Sequence, residues 1–391
     1  MERYTLSSMD LWSWRSEFPI LETCTYLVSH SLGAMPARAR RYLSKYADEW
    51  DRRGVRAWHE GWWETGRTIG DLLAPVLGVP KGTITLHQNA TVAQSVVLSC
   101  FSFEGRRRKV LLQDLDFPTN HYLFEGFRRY GADVQYVKSD DSVTAPIERV
   151  VDAIDDETVL VPLSLVLFRS GCLQDVRPVI EKAHRVGARV VLDVYQAAGT
   201  IPMNLEALGA DFAVGGSVKW LCGGPGAGYL YVRKDLLNEM RPSVVGWAGH
   251  SSPFEFSTGA VRYASGIERF QTGTPNVPAW YAASAGYEIV GEIGVPAIRQ
   301  RSLALTGRLI EAAQARGWRL NTPTADACRG GSVVIDVPNG AAVADELIRR
   351  QVIVDHRPNA GIRVAPHFYN TEAEVDAAVA AIDEILAGQP A

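Results

Sequence analysis

The sequence predicts an α/β fold, a mostly parallel sheet between helices, followed by a smaller α+β unit. Three observations carry that prediction. From residue 84 to 193, short apolar runs alternate with segments of helical period, the pattern of repeated βα units whose strands are buried on both faces. Near Gly294 the texture changes to longer helical segments around isolated strands. The chain of 391 residues also exceeds the size at which one core usually keeps growing, so two domains are expected.

The elements follow in order. Residues 23–36 (TCTYLVSHSLGAMP) read as a short strand and a turn. An amphipathic helix fits 37–53, and a second fits 62–77, ending near Gly78 and Pro80. A strand at 84–88 stops at Asn89-Ala90-Thr91, before a helix over 92–101. A strand that ends in small polar residues before a helix offers free backbone N–H groups to an anion. Strands at 109–113, 133–137, 159–163 and 189–193 then alternate with helices at 120–130, 147–154 and 176–186. The C-terminal unit has a helix at 297–316, a strand at 332–337, a helix at 342–351 and a strand at 361–364. A last helix over 372–386 opens on a Thr371-x-x-Glu374 capping box. Ligands of such sheets bind beyond the carboxyl ends of the strands. That places residues 89–91, Ser164 and Asp193 at the candidate site.

Composition narrows the function. A hydrophobic share of 47% with 21% charged residues marks a globular chain. A net charge of -4 gives no electrostatic reason to expect nucleic acid as a partner. No apolar run is long enough to span a bilayer. The opening MERYTLSSMDLWSW lacks the basic start and apolar stretch of a signal peptide. Five dispersed cysteines (Cys24, Cys100, Cys172, Cys222, Cys328) with no C-x-x-C fit reduced thiols in a cytoplasm, and no metal site is expected.

The most informative stretch is 189–228. A buried strand ends in Asp193, a helical crossover follows, and a second short strand (ADFAVGG) leads to Lys219 in a turn before GGPGAG. Apolar flanks desolvate the lysine, and burial disfavours the ammonium, leaving a usable amine at neutral pH. Pyridoxal 5'-phosphate (PLP) requires such an amine to carry it as a Schiff base. It also requires a carboxylate that keeps the pyridine nitrogen protonated, so the ring can take up a carbanion's electrons. Alone, Lys219 reads more readily as an exposed turn lysine and Asp193 as a capping residue; the pair in this order favours the cofactor. Ser217, two residues before the lysine, is within reach of a phosphate or is a satisfied turn serine. GGPGAG is neither G-x-G-x-x-G nor a Walker A loop and reads as a tight turn; no strand leads into G-x-G-x-x-G, which disfavours a nicotinamide dehydrogenase. Trp58, His59, Trp62 and Trp63 are candidate pocket liners, His59 for substrate, or a subunit contact.

Five segments together resemble the fold-type I PLP enzymes of the class V aminotransferase superfamily, kynureninase above all. TYLVSHSLGAMP is similar to that family's YL-x-x-N/H-SLG-x-x-P, and HQNATVAQSV to its phosphate-cradle turn. DFPTNHY is similar to FPSDHY, GWAGH to GW-x-GH, and GIRVAPHFYNTEAEV to its R-x-SPHFYN signature. The resemblance covers nearly the whole chain. It implies Lys219 as the Schiff-base lysine, Asp193 at the pyridinium nitrogen, Ala90 and Thr91 in the phosphate turn, and Phe117 on the ring face. Asn120, Ser164, Gln196 and Trp247 are implied at the cofactor, Thr274 at the phosphate of the neighbouring subunit's cofactor, and Arg363 at the substrate α-carboxylate. It also implies a homodimer with shared active sites, divided into an N-terminal segment (1–35), a large domain (36–293) and a small domain (294–391). The implied reaction is hydrolytic Cβ–Cγ cleavage of a kynurenine-type amino acid to an anthranilate-type product and alanine. Three positions depart from the pattern. Asn120 replaces an aspartate, Gln196 a histidine and Val218 a tyrosine; glutamine at the second position is familiar in the wider class V group, bonded to the cofactor's 3-oxygen. The alternatives are another class V reaction (transamination, C–S lysis or epimerisation) and a non-catalytic binding protein.

Overall fold

A computed structural model describes residues 8–388; residues 1–7 of the expected N-terminal segment and 389–391 of the expected small domain lie outside the described residues. The strands are β1 (Thr25–Tyr26), β2 (Ile84–His87), β3 (Lys109–Gln113), β4 (Asp133–Val137), β5 (Thr158–Ser164), β6 (Arg189–Asp193), β7 (Phe212–Gly216), β8 (Gly228–Val232), β9 (Arg319–Leu320), β10 (Val333–Asp336), β11 (Val352–Ile353), β12 (Asp355–Arg357) and β13 (Gly361–Val364). The helices are α1 (Ser8–Ser13), α2 (Ala37–Arg53), α3 (Thr65–Gly70), α4 (Ala74–Leu77), α5 (Ala90–Leu98), α6 (Pro118–Gly126), α7 (Ile147–Ala153), α8 (Arg177–Arg185), α9 (Leu205–Leu208), α10 (Val277–Ile293), α11 (Val295–Ala315), α12 (Gly340–Arg349) and α13 (Glu372–Ala387).

A seven-stranded sheet in the order β2-β8-β7-β6-β5-β3-β4 forms the centre. Its strands run parallel except β8, which is antiparallel to both neighbours. Every residue of β3, β7 and β8 is buried, which is why these strands read as continuous runs rather than alternating ones. Register levels the carboxyl ends of the middle strands: Ser164 of β5 pairs with Asp193 of β6, and Asp193 with Val214 of β7. A second, antiparallel sheet in the order β12-β13-β10-β9 builds its own core with α11, α12 and α13, around Leu305, Val333, Ile362 and Ile382. The N-terminal segment joins that part of the chain. β1 pairs in parallel with β11, and Arg15 meets Glu374 at 2.7 Å. The Thr371–Glu374 capping box is present at the start of α13.

Three elements differ from the sequence reading. The expected helix over 62–77 is broken into 3-10 turns, α3 and α4, because Gly66, Gly70 and Pro75 interrupt the helical run. α10 and β8 were not foreseen. α10 buries residues around most of its surface, so it shows no amphipathic period, and β8 hides behind the GGPGAG turn.

The loop carrying Lys219 is clamped by backbone contact. Gly33 donates its N–H to the Val218 carbonyl at 2.7 Å, and a Cβ on Gly33 would stand 2.1 Å from the Lys219 carbonyl oxygen. A Cβ on Gly286 of α10 would stand 1.9 Å from the Leu221 carbonyl oxygen. Gly286→Ala is therefore expected to cost about 1–3 kcal/mol through overpacking, read as a lower thermal midpoint. A midpoint equal to the wild type's would contradict this contact.

Candidate active site

Beyond the ends of β5, β6 and β7 lies a cavity of about 240 Å³, lined by Asn89, Ala90, Thr91, Phe117, Asn120, Ser164, Phe168, Asp193, Tyr195, Gln196 and Lys219 among others. One side is the start of α5. Asn89 caps that helix, its side chain accepting the Val92 N–H at 3.0 Å, so the N–H groups of its first turn are left for an anion.

Burial governs the two central charges. It lowers the Lys219 ammonium to about 8, with Asp193 opposing and Arg363 reinforcing the shift. Burial also raises Asp193, opposed by the Tyr195 N–H, by Lys219 and by Asn120. The Tyr195 N–H reaches the Asp193 Oδ1 at 2.9 Å. The Lys219 Nζ lies 4.3 Å from the Tyr195 ring centroid and 5.5 Å from that of Phe117, so two aromatic rings face the amine. Asn120 accepts from Gln94 at 3.0 Å. Its amide nitrogen is buried without a hydrogen-bond partner, beside the Asp193 carboxylate it helps keep charged.

These features fit PLP as the sequence requires it: an amine that sheds its proton near neutrality, a buried carboxylate, helix N–H groups for a phosphate, and flat aromatic walls. Ala90, Thr91, Phe117, Asn120, Ser164, Asp193, Gln196 and Lys219 are thus brought together.

Five residues expected at the site are not among those lining the cavity. The Ser217 hydroxyl donates to the Ala227 carbonyl at 2.6 Å and meets the Tyr287 hydroxyl, so it is turned into the packing behind the loop. Arg363 engages Asp355 through Nε (2.8 Å) and Nη2 (2.5 Å), and gives Nη1 to the Phe168 carbonyl at 2.8 Å. It stands behind Phe168, which does line the cavity. Trp247 joins Trp63, Phe254 and Phe256 in an aromatic cluster, and His59 packs on Phe254 at 5.3 Å. Thr274 is exposed.

Sequence reasoning passed over three groups. Asp116 accepts the N–H groups of Gln113 (3.0 Å) and Ser164 (3.1 Å). It thereby fixes the end of β5 to the turn bearing Phe117 and Asn120, and burial pushes its carboxyl up to about 6. Asp355 is raised by burial, but His30 and Arg363 outweigh this and hold it well below the usual carboxylate range. Tyr195 lines the cavity two residues after Asp193, a spacing that was in plain view. Gln196 is committed on both sides, donating to the His30 carbonyl (3.1 Å) and accepting from the Trp220 indole (3.0 Å). His367, of the C-terminal signature, bonds the Trp220 carbonyl at 2.8 Å, so that motif braces the lysine loop.

Comparison with known proteins places this geometry. The sequence model described as Aminotransferase class-V matches residues 26–378. The chain is 33% identical over 374 residues to the uncharacterized aminotransferase YcbU of Bacillus subtilis, covering 96% of this chain and 97% of that protein. It is 31% identical over 390 residues to the kynureninase of Pseudomonas fluorescens, covering 95% and 91%. Among solved structures, the apo cysteine desulfurase of Thermococcus onnurineus NA1 superposes with a TM-score of 0.84 at 20% identity, covering 96% of this chain and 98% of that one. A variant of C-DES with glycine covalently linked to its PLP cofactor superposes with a TM-score of 0.83 at 21% identity, covering 94% and 98%.

Proposed function

The chain belongs to the class V aminotransferase family and is a PLP-dependent enzyme; from that premise we propose that it hydrolyses the Cβ–Cγ bond of a kynurenine-type amino acid, giving an anthranilate-type product and alanine. The observation that carries the reading is one cavity holding the Lys219 amine, the Asp193 carboxylate and an aromatic wall of Phe117 and Phe168, whose rings meet edge to face at 5.0 Å. That wall suits an aryl side chain. Similarity to kynureninase over most of the chain supports it.

When bound, PLP supplies an electron sink for negative charge formed at the substrate Cα. The residues divide the rest. Lys219 would carry the cofactor, and its Nζ would take the Cα proton and return one later. Asp193 holds a proton on the pyridine nitrogen, which a buried carboxylate does strongly. Thr91 and the first N–H groups of α5 receive the phosphate. Arg363, its plane fixed by Asp355, would take the substrate carboxylate only once Phe168 yields access to it. Overall, one water is consumed as the carbon–carbon bond breaks. Incubation with kynurenine and 3-hydroxykynurenine is expected to release the corresponding anthranilates and alanine; absence of both anthranilates at micromolar enzyme would sink the reading. A second reading, transamination, C–S lysis or epimerisation in the same cavity, is supported by similarity to the uncharacterized aminotransferase YcbU. An α-keto acid, sulfide or D-amino acid product would select it.

The enzyme is further inferred to work as a homodimer with shared sites, because Trp247, Thr274 and His59 stand outside their own chain's cavity. Its five cysteines are free, in keeping with a reducing cytoplasm. Mixing Lys219→Ala subunits with Trp247→Ala subunits is expected to restore part of the activity that each variant lacks alone, since a hybrid dimer has one site with both residues intact. No recovery on subunit exchange would contradict shared sites.

A further inference from the structure

The tyrosine nearest the lysine amine has no assigned role. Its ring is closer to the Lys219 Nζ than Phe117 is, 4.3 Å against 5.5 Å, and it lines the cavity. Its hydroxyl has no hydrogen-bond partner among the described residues, whereas that of Tyr287 meets Ser217. A phenol left free inside a cavity is a donor waiting for a ligand.

Two glycines show where that hydroxyl points. A Cβ on Gly216, at the end of β7, would stand 2.3 Å from the Tyr195 hydroxyl oxygen. A Cβ on Gly228, at the start of β8, would stand 2.4 Å from the Asn89 carbonyl carbon. Gly216 and Gly228 are register partners across β7 and β8. Paired residues of adjacent antiparallel strands direct their Cβ positions to the same face of the sheet, about 5 Å apart. The Tyr195 hydroxyl and the turn that opens α5 therefore occupy neighbouring glycine niches on one face. The hydroxyl lies beside the helix N-terminus to which an anion is drawn.

We propose that Tyr195 is a cofactor-binding residue: its hydroxyl donates to the phosphate held at the start of α5, and its ring walls the slot beside Lys219. The inference rests on Lys219 carrying PLP. Burial raises the Tyr195 phenol to about 12, so it stays a donor across the working pH range.

The test compares PLP with pyridoxal, which lacks the phosphate, on apoprotein of the wild type, Tyr195→Phe and Lys219→Ala, with dissociation constants read from protein fluorescence. Tyr195→Phe keeps the ring and removes only the hydroxyl. It is expected to weaken PLP about 10- to 100-fold, the effect of losing a hydrogen bond to a charged group, and to leave pyridoxal bound as in the wild type. Inorganic phosphate should compete with PLP less well on this variant by the same factor. Equal effects on PLP and pyridoxal, or none on either, overturn the inference. Should Lys219→Ala bind both ligands as tightly as the wild type, the lysine assignment falls, and this inference with it. A normal Lys219 effect with an unaltered Tyr195→Phe overturns the inference alone.

Discussion

Lys219→Ala is expected to remove the visible absorbance of the cofactor-loaded protein and to lower kcat by at least about 10³-fold, within the range for loss of a positioned acid–base group. Both losses have one origin in the proposed mechanism, where the same Nζ carries the cofactor and moves the Cα proton. The folded scaffold should survive, since the loop is held by main-chain contacts from Gly33 and Gly286 rather than by the lysine side chain. Burial predicts a further, opposite effect on stability. The folded-state value of about 8 lies below the ordinary 10.5. Between those pH values the unfolded chain holds a proton that the folded one has shed, so stability rises with pH through that window, and the full penalty applies below pH 8. Lys219→Met apoprotein is accordingly expected to be more stable than wild-type apoprotein at pH 7, by on the order of 3 kcal/mol, with the gap closing as pH rises towards 10.5. Denaturant titrations at pH 7 and pH 10 measure it. A variant less stable at both would mean the amine is not desolvated.

The second large effect is expected at Asp193. Asp193→Asn preserves shape and the acceptor for the Tyr195 N–H but loses the charge that holds a proton on the ring nitrogen. The expected cost is about 10²–10³-fold in kcat, the magnitude of losing one electrostatic stabiliser of developing charge, with a much smaller change in cofactor affinity. Because only the step that places charge on the ring should suffer, a fall confined to KM with kcat intact would contradict the assignment.

The sheet, its parallel strands and the strand-end position of Asp193 were legible because they rest on local periodicity and on the rule that α/β ligands sit at carboxyl ends. The Lys219–Asp193 pair was legible for the same reason. Side-chain direction was not. Ser217 is close to the lysine in sequence, yet its hydroxyl turns to Ala227 and Tyr287. The resemblance sets Arg363 at the substrate α-carboxylate, and Asp355, eight residues earlier, holds it through a β12–β13 register that spacing alone does not reveal. Tyr195 was passed over because the acid beside it explained the strand end; only the niche at Gly216 shows where its hydroxyl goes. His59, Trp247 and Thr274 stand apart from the cavity lining, a placement that sequence position alone does not reveal. α10 was missed because a helix buried around most of its surface has no polar face to mark it.

The central claim is that this cavity holds PLP on Lys219. Borohydride reduction of the purified cofactor-loaded protein, followed by proteolysis and peptide mass mapping, addresses it most directly, because reduction fixes the group to whichever amine bears it. The account predicts a phosphopyridoxyl group on the peptide containing Lys219 and on no other lysine. A reduced group on a different lysine, or none on a protein that has taken up PLP, would contradict it.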